Sequence, residues 1–381
     1  MGAEVLLYGY GFVCLSMLGF NLFYGLYLRA GGRRLKRRLD RLRHQAAAQQ
    51  KNLLEGRPLE ESYLSWMRRR LSRVQNLLAF DYLLDELEDG TSIFQAYLHQ
   101  LQPVFLYLAA IYGRREDTQA AYYCHFLARH QLQRHMQMDQ IQQMVAACVH
   151  RESFYCRVNA LKALCAFGSP QTLVEALSEL GRQPEDTQLH EKVVAEALLT
   201  YTGDTEELIR QLWQRFDQFP LRLQRAVLDY IRFKSGAYLG QMLQILLDNS
   251  QDKELRFSAI RYFGRYPDPA ARPALLEFVR DPDILRWEFA AISASSLARY
   301  PGQEVVDALM RAMHSPNWYV RFNASASLEA QGVSYEEMLR AVGSDRYARE
   351  MLTYRLESRR LEGLEAAQEQ LEQQKGVPVG V

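Results

Sequence analysis

The sequence predicts an all-α chain: a right-handed α-solenoid of stacked helix pairs preceded by one transmembrane helix. Three observations predict it. Residues 5–28 form an apolar run of 24 residues with no charge, and a helix crosses the hydrocarbon core of a bilayer with about 20. From Leu59 onward apolar residues recur at helical spacing, and alternating strand-like runs are lacking. From Arg157 one motif occurs six times at intervals of 31 to 35 residues, and a helix-pair period of that size means a solenoid.

The first element, residues 1–28, reads as the anchor. Tyr8, Tyr10, Tyr24 and Tyr27 lie toward the two ends of the run, where amphipathic rings prefer the membrane interface. A cleaved signal peptide fits less well, because the basic residues follow the apolar run instead of preceding it. Residues 1–43 hold eight basic and two acidic residues, a charge of +6 in a chain whose total is +1. Positive flanks stay in the cytoplasm, so the short N-terminus is expected outside the cell membrane and the body inside. Gly11, Ser16, Gly19, Asn21 and Gly25 interrupt the run and offer a surface for weak self-association or an intramembrane partner.

The second element, residues 29–58, is a basic juxtamembrane helix and linker. Arg33, Arg34, Lys36, Arg37, Arg38, Arg41 and Arg43 are expected to meet anionic lipid headgroups. Leu35, Leu39, Leu42, Ala46, Gln49 and Leu53 follow a 4-3-4-3-4 spacing. Such a seam suits either a short coiled coil or a helix lying on the lipid surface, and the second is preferred.

Residues 59–150 read as divergent N-terminal helical units, with helices over 59–88, 93–113, 117–133 and 138–150. Residues 151–350 carry the repeats. The motif is RVNALKALCAFG from Arg157, KVVAEALLTYTG from Lys192, RAVLDYIRFKSG from Arg225, RFSAIRYFGRYP from Arg256, AAISASSLARYP from Ala290 and RFNASASLEAQG from Arg321. Each copy ends in Gly or Pro, where a helix must stop. A second apolar-periodic helix follows most copies, and one pair alone cannot bury its stripe, so neighbours must stack. Residues 351–381 are expected to be a polar capping helix and a frayed tail.

This pattern of a basic residue, small residues, a Gly/Pro turn and a Leu-rich second helix resembles HEAT repeats over about residues 150–350. The Trp–Leu–Gly–Tyr spacing of tetratricopeptide repeats is lacking. The resemblance implies that Arg157, Arg225, Arg256 and Arg321 join a polar ladder between units, with Lys192 a weaker member and Ala290 a gap.

Catalytic signatures are missing from the sequence: it has no phosphate loop and no GxSxG elbow. His190-Glu191 opens like a zinc-protease motif but carries Val194 where the second histidine belongs. His125, His130 and His135 are five apart, a spacing that turns successive rings off one helix face. Five cysteines without a CxxC pair exclude a disulfide scaffold and argue against zinc. Asp281-Pro282-Asp283 has the letters of a metal-binding DxD but sits at a turn between helices. No catalytic residue, metal or cofactor is therefore expected.

The expected function is a non-enzymatic, membrane-anchored scaffold that binds a protein partner. An integral membrane protein is the expected partner, and an accessory role beside an exopolysaccharide-synthesising glycosyltransferase is one form of it. Trp287 and Trp318 precede the repeat index by three residues and should stack on adjacent units, as packing or as interface anchors. Arg210, Gln214, Gln241, Arg272, Arg280 and Arg311 on the second helices are candidates for a polar binding face. The alternatives are a nucleic-acid-binding HEAT-like solenoid and a HEAT-like lyase. Outside residues 1–43 the chain has a net charge of −5, which disfavours the first, so no nucleic acid is expected. The second needs a reactive thiol, and Cys124, Cys148, Cys156 and Cys165 fall mostly at apolar helix positions, where a thiol behaves as a small hydrophobe.

Overall fold

The computed structural model describes residues 2–88, 91–132, 139–184 and 187–374, with side chains at 8–24, 30–88, 91–132, 139–184 and 187–364. His135, Tyr27, Arg29 and the tail beyond residue 374 lie outside the described residues or side chains. Among the described residues there are twenty α-helices and no strand. The chain divides into two compact units, one up to Gln211 and one from Leu212.

The first unit holds α1 (Gly2–Leu54), α2 (Glu61–Leu71), α3 (Val74–Leu87), α4 (Ser92–Gln100), α5 (Gln102–Tyr112), α6 (Asp117–Arg129), α7 (Asp139–Cys148), α8 (Phe154–Phe167), α9 (Pro170–Gly181), α10 (Glu191–Leu199) and most of α11 (Thr205–Gln214). α1 is one continuous helix of 53 residues. Its second half packs on α3 and α4, burying Leu42, Ala46 and Gln49. The heptad seam is thus an internal packing stripe. Leu42 is buried against the protein's own body and Leu35, Leu39 and Leu53 are half-buried, which corrects the expectation that the seam faces the lipid interface.

Two expected helices each break in two. The 59–88 segment stops at Ser72, whose hydroxyl donates to Arg68 O at 2.7 Å, while Asn76 Nδ2 caps Arg70 O at 2.8 Å. The 93–113 segment restarts at Gln102 with Pro103 in its first turn. Proline has no N–H to continue the preceding ladder and has a φ suited to a helix start. At the end of α8, Gly168 takes φ +71°, a left-handed cap that residues with a Cβ adopt with strain.

The second unit holds α12 (Leu221–Lys234), α13 (Leu239–Leu247), α14 (Lys253–Arg265), α15 (Arg272–Arg280), α16 (Trp287–Ser296), α17 (Gln303–Ala312), α18 (Trp318–Ala330), α19 (Tyr335–Val342) and α20 (Arg346–Gln374). The first helices α12, α14, α16 and α18 stack in sequence, and α20 packs on α18. The second helices α15 and α17 pack on each other and on α16 and α18. This is the stacked helix-pair order that the repeats predict.

The polar links between units come mostly from residues other than the arginines expected. Ser296 Oγ donates to Ile260 O at 2.9 Å, Ser327 Oγ to Ala294 O at 2.7 Å, and Asn323 Nδ2 to Ala291 O at 2.8 Å. Small hydroxyl residues let neighbouring first helices approach closely and bond across the gap. Of the index arginines, Arg225 does reach the next unit, pairing with Glu254 at 3.2 Å. Arg157 donates to Gln183 Oε1 at 2.7 Å, on the loop after α9. Arg256 and Arg321 instead turn back to carbonyls before their own helices, at Leu246 O (3.2 Å) and at Ser315 O (2.6 Å) and Pro316 O (3.0 Å).

Candidate protein-docking surface

The turn between α15 and α16 builds an apolar prominence. Asp281 Oδ1 accepts from the Asp283 amide, Asp283 Oδ1 accepts from the Leu285 amide, both at 2.9 Å, and Arg286 pairs with Asp281 at 2.7 Å. The two aspartates of the DxD letters are therefore spent on turn capping and an ion pair. The rigid turn pushes Ile284 and Leu285 outward, and Leu285 is 86% exposed.

Behind this prominence, Trp287 is half-buried and stacks on Tyr319, with ring centroids 5.6 Å apart and planes 20° apart. Trp318 does not meet Trp287 in that stack. It is 42% exposed, stacks on Phe322 at 5.0 Å, and presents edges to Tyr319 and Tyr354. Tyr319, Tyr347 and Tyr354 are also exposed. The result is an aromatic surface running along the starts of α16 and α18 to α20.

Two hollows flank these rings. One of 270 Å³ is lined by Trp287, Arg280, Arg311, His314 and Asn317 among others, and one of 280 Å³ by Trp318, Arg321, Tyr347 and Tyr354 among others. Arg280 is tied to Glu304 at 2.9 Å, and Arg272 approaches the same carboxylate at 3.4 Å. Arg311 is exposed and has no ion-pair partner among the described residues. His314 Nδ1 lies 2.7 Å from Asp345, whose carboxyl is held below its usual range by that hydrogen bond.

Trp287, Arg280 and Arg311 are thus brought together, with Trp318 beside them. Gln214 and Gln241 line neither hollow. Arg210 belongs to the first unit, where Glu207 holds it at 2.6 Å. Sequence reasoning missed Ile284 and Leu285; the signal was an Ile-Leu pair directly after a capping Asp-Pro-Asp turn.

In the first unit, Arg43 forms ion pairs with Asp40 and Glu86, both at 2.8 Å, and Arg38 bonds Gln75. These two therefore serve the packing of α1 on α3. Arg33, Arg34, Lys36, Arg37 and Arg41 remain exposed. Trp66, Arg69, Arg70, Arg73 and Asn76 line a further groove of 310 Å³.

One carboxylate–histidine cluster stands out. The donor atoms of Asp81, Asp85 and His130 lie within 4.8 Å of one another. Asp81 is buried and accepts from Tyr122 at 2.6 Å, from Arg129 at 3.2 Å, and meets His130 Nε2 at 2.6 Å. Arg129 also pairs with Asp85 at 2.5 Å. A guanidinium lodged between both carboxylates makes the cluster an ion-pair hub joining α3 to α6. His125, in α6 five residues before His130, is exposed and outside the cluster.

Cys124, Cys148, Cys156 and Cys165 are buried. Hydrogen bonding to Cys124 and burial push the Cys148 thiol up to about 12, and burial raises Cys165. Cys156 is raised as well, by its hydrogen bond to Cys148 and by burial. Such thiols stay protonated and are poor nucleophiles.

HEAT repeats, as a family, match residues 240–329, which span α13 to most of α18. Among curated proteins, none matches the chain. Human deoxyhypusine hydroxylase, solved in complex with glycerol, is 18% identical over 78% of this chain and 96% of that one, at a TM-score of 0.26. That superposition is too loose to transfer an activity.

Proposed function

We propose that this chain is a membrane-anchored scaffold whose helical-repeat body holds a protein partner. The observation that carries the reading is the uncovered apolar half of α1. Tyr8, Tyr10, Phe12, Val13, Leu15, Met17, Leu18, Phe20, Leu22, Phe23 and Tyr24 are all at least 50% exposed. A stripe for a protein core would leave one face polar, whereas this half of the helix carries apolar side chains on every face. The described side chains of the run, 8–24, fall short of a span, and no helix of the described residues is long and apolar enough to cross a membrane. The anchor reading rests on the full apolar run of residues 5–28.

The arrangement of α1 on the body favours lipid contact at one end. Arg38 meets Gln75 near the start of α3, and Arg43 meets Glu86 near its end. The start of α3 therefore points toward the apolar run. Arg69, Arg70, Arg73 and Trp66 lie just before that start, where basic and Trp side chains suit an anionic headgroup layer. By the excess of basic residues after the apolar run, the N-terminus in this proposal is outside and the repeats in the cytoplasm.

The partner, in this reading, is an integral membrane protein such as an exopolysaccharide-synthesising glycosyltransferase. It docks on the aromatic surface around Leu285, Trp287 and Trp318 without chemistry by this chain. The test is fractionation. The full chain should stay in membranes through a high-salt wash, and deletion of residues 1–28 should release a folded helical protein. A full chain that washes off would sink the anchor. For docking, Leu285→Glu should abolish co-purification of the membrane partner with helicity unchanged; undiminished capture would remove this surface from the proposal.

A further inference from the structure

A second concave site lies on the first helices of the repeats, among residues the docking surface does not use. Arg232, Phe233, Arg261, Arg265, Ser295 and Arg299, with four neighbours, line an open hollow of 640 Å³. Four of them are arginines and none is acidic. That volume is typical of small-molecule sites, but this wall is cationic instead of apolar.

The arginines are placed by the repeat itself. Arg265 and Arg299 hold the tenth position of successive motifs, so stacking brings them side by side. Arg299 donates to Arg265 O at 3.1 Å. The guanidiniums of Arg232 and Arg265 lie 4.6 and 5.4 Å from the centre of the Phe233 ring. The floor is close-packed: a Cβ on Gly264 would meet Ser296 Oγ at 2.8 Å. Asn323 is fixed by its bond to Ala291 O.

Charge is left over. Arg232 pairs with Asp229 at 3.1 Å, yet its buried Nε finds no acceptor. Arg261 has Asp229 and Glu254 in its surroundings, but also Arg232 and Arg225. Although Arg261 is exposed, the side chains packed around its base and then those two arginines lower its pKa. Clustered cations repel, and a fold retains such a cluster at a cost in stability unless an anion neutralises it.

We propose that this hollow binds a compact polyphosphate group, with Arg261, Arg265 and Arg299 as its principal ligands. Planar guanidinium forks match phosphate oxygens in paired hydrogen bonds and shed water more readily than ammonium groups. Ser295 is exposed on the same wall and supplies a hydroxyl donor. The phosphate can belong to a soluble phosphate ester or to a phosphorylated lipid headgroup.

The test is calorimetric titration of the full-length protein, in zwitterionic nanodiscs, with inorganic tripolyphosphate. Saturable one-site binding is expected. Arg261→Gln with Arg299→Gln should weaken it at least roughly tenfold, the effect of losing charge-assisted hydrogen bonds. Ser295→Glu, a surface change that leaves the packing intact, should do the same by putting a carboxylate into the hollow. Arg69→Gln with Arg73→Gln, in the other basic groove, should leave binding unchanged. Competition of tripolyphosphate by ADP would support a soluble source, and competition by vesicles containing phosphatidylinositol bisphosphate a lipid source. No binding of tripolyphosphate, equal binding by Ser295→Glu, or binding only of a single-stranded RNA would each overturn the proposal.

Discussion

Tyr319 lies nearly parallel to Trp287, ring centroids 5.6 Å apart, and so ties the start of α18 to the start of α16. Trp318, the preceding residue, keeps 42% of its surface exposed. Two tryptophans at the same repeat position therefore have different tasks. Trp287→Ala should destabilise the protein by about 2–4 kcal/mol, in the range for truncating a large packed aromatic. Trp318→Ala should cost about 1 kcal/mol or less while weakening partner capture. Urea titration followed by circular dichroism separates the two; equal losses would mean both rings are packing.

The Asp81 hub makes a pH-dependent contribution. Burial alone would raise its carboxyl, but hydrogen bonds from His130 and Tyr122 and the charges of His130 and Arg129 outweigh it and lower the pKa. A depressed carboxylate stabilises the fold above its unfolded value near 4, and that stabilisation is lost as pH falls through the folded value. Thermal stability should therefore fall below about pH 4 more steeply in the parent than in Asp81→Asn. Asp81→Ala at pH 7 should lose about 3–5 kcal/mol, because Arg129, His130 and Tyr122 lose their common acceptor. Superimposable pH profiles would show that the hub carries no such linkage.

Arg256 is buried between Phe278 and Phe289, its guanidinium 5.3 and 5.0 Å from their ring centres. Burial first, and then the charge of Arg286, lower its pKa. Arg256→Ala should cost about 2–4 kcal/mol through lost cation–π contact, lost packing and an uncapped Leu246 carbonyl. Arg256→Lys should recover only part of this, since an ammonium cannot stack between two rings. Full recovery by lysine in chemical denaturation would argue that charge alone matters.

Leu42 and Ala46 seat α1 on the body. Ala46→Leu should overpack that contact and cost about 1–3 kcal/mol. Leu42→Asp should lift this part of α1 and open the Arg33–Arg43 segment to trypsin. Cleavage there at the parent rate would mean that the seam contributes little to holding the helix down.

The helical-repeat class was legible because it depends on periodicity, which each motif copy restates. Helix ends were less legible where a single residue decides them, as Ser72 and Pro103 do. The ladder was legible only in part, at Arg225, for a similar reason. Index arginines are conspicuous in the sequence, while Ser296, Ser327 and Asn323 look like ordinary helix fillers until their neighbours are placed. The heptad seam was visible, but spacing alone does not say whether lipid, another helix or α3 covers it. At the docking surface, Trp287 and Trp318 could be paired in register from the sequence, but a register cannot show that the neighbour Tyr319 takes the stacking position.

The unbroken course of α1 has a mechanical consequence. A bilayer gripping residues 5–28 would be joined to the seated seam at Leu42 by about four helical turns, a strut of roughly 20 Å. A loose tether lets its cargo wander through a hemisphere; a strut sets standoff and azimuth together. Any tilt or rotation of the buried end would be passed on as torque to α3 and α4. The first unit would then ride on the membrane like a vane on a short mast.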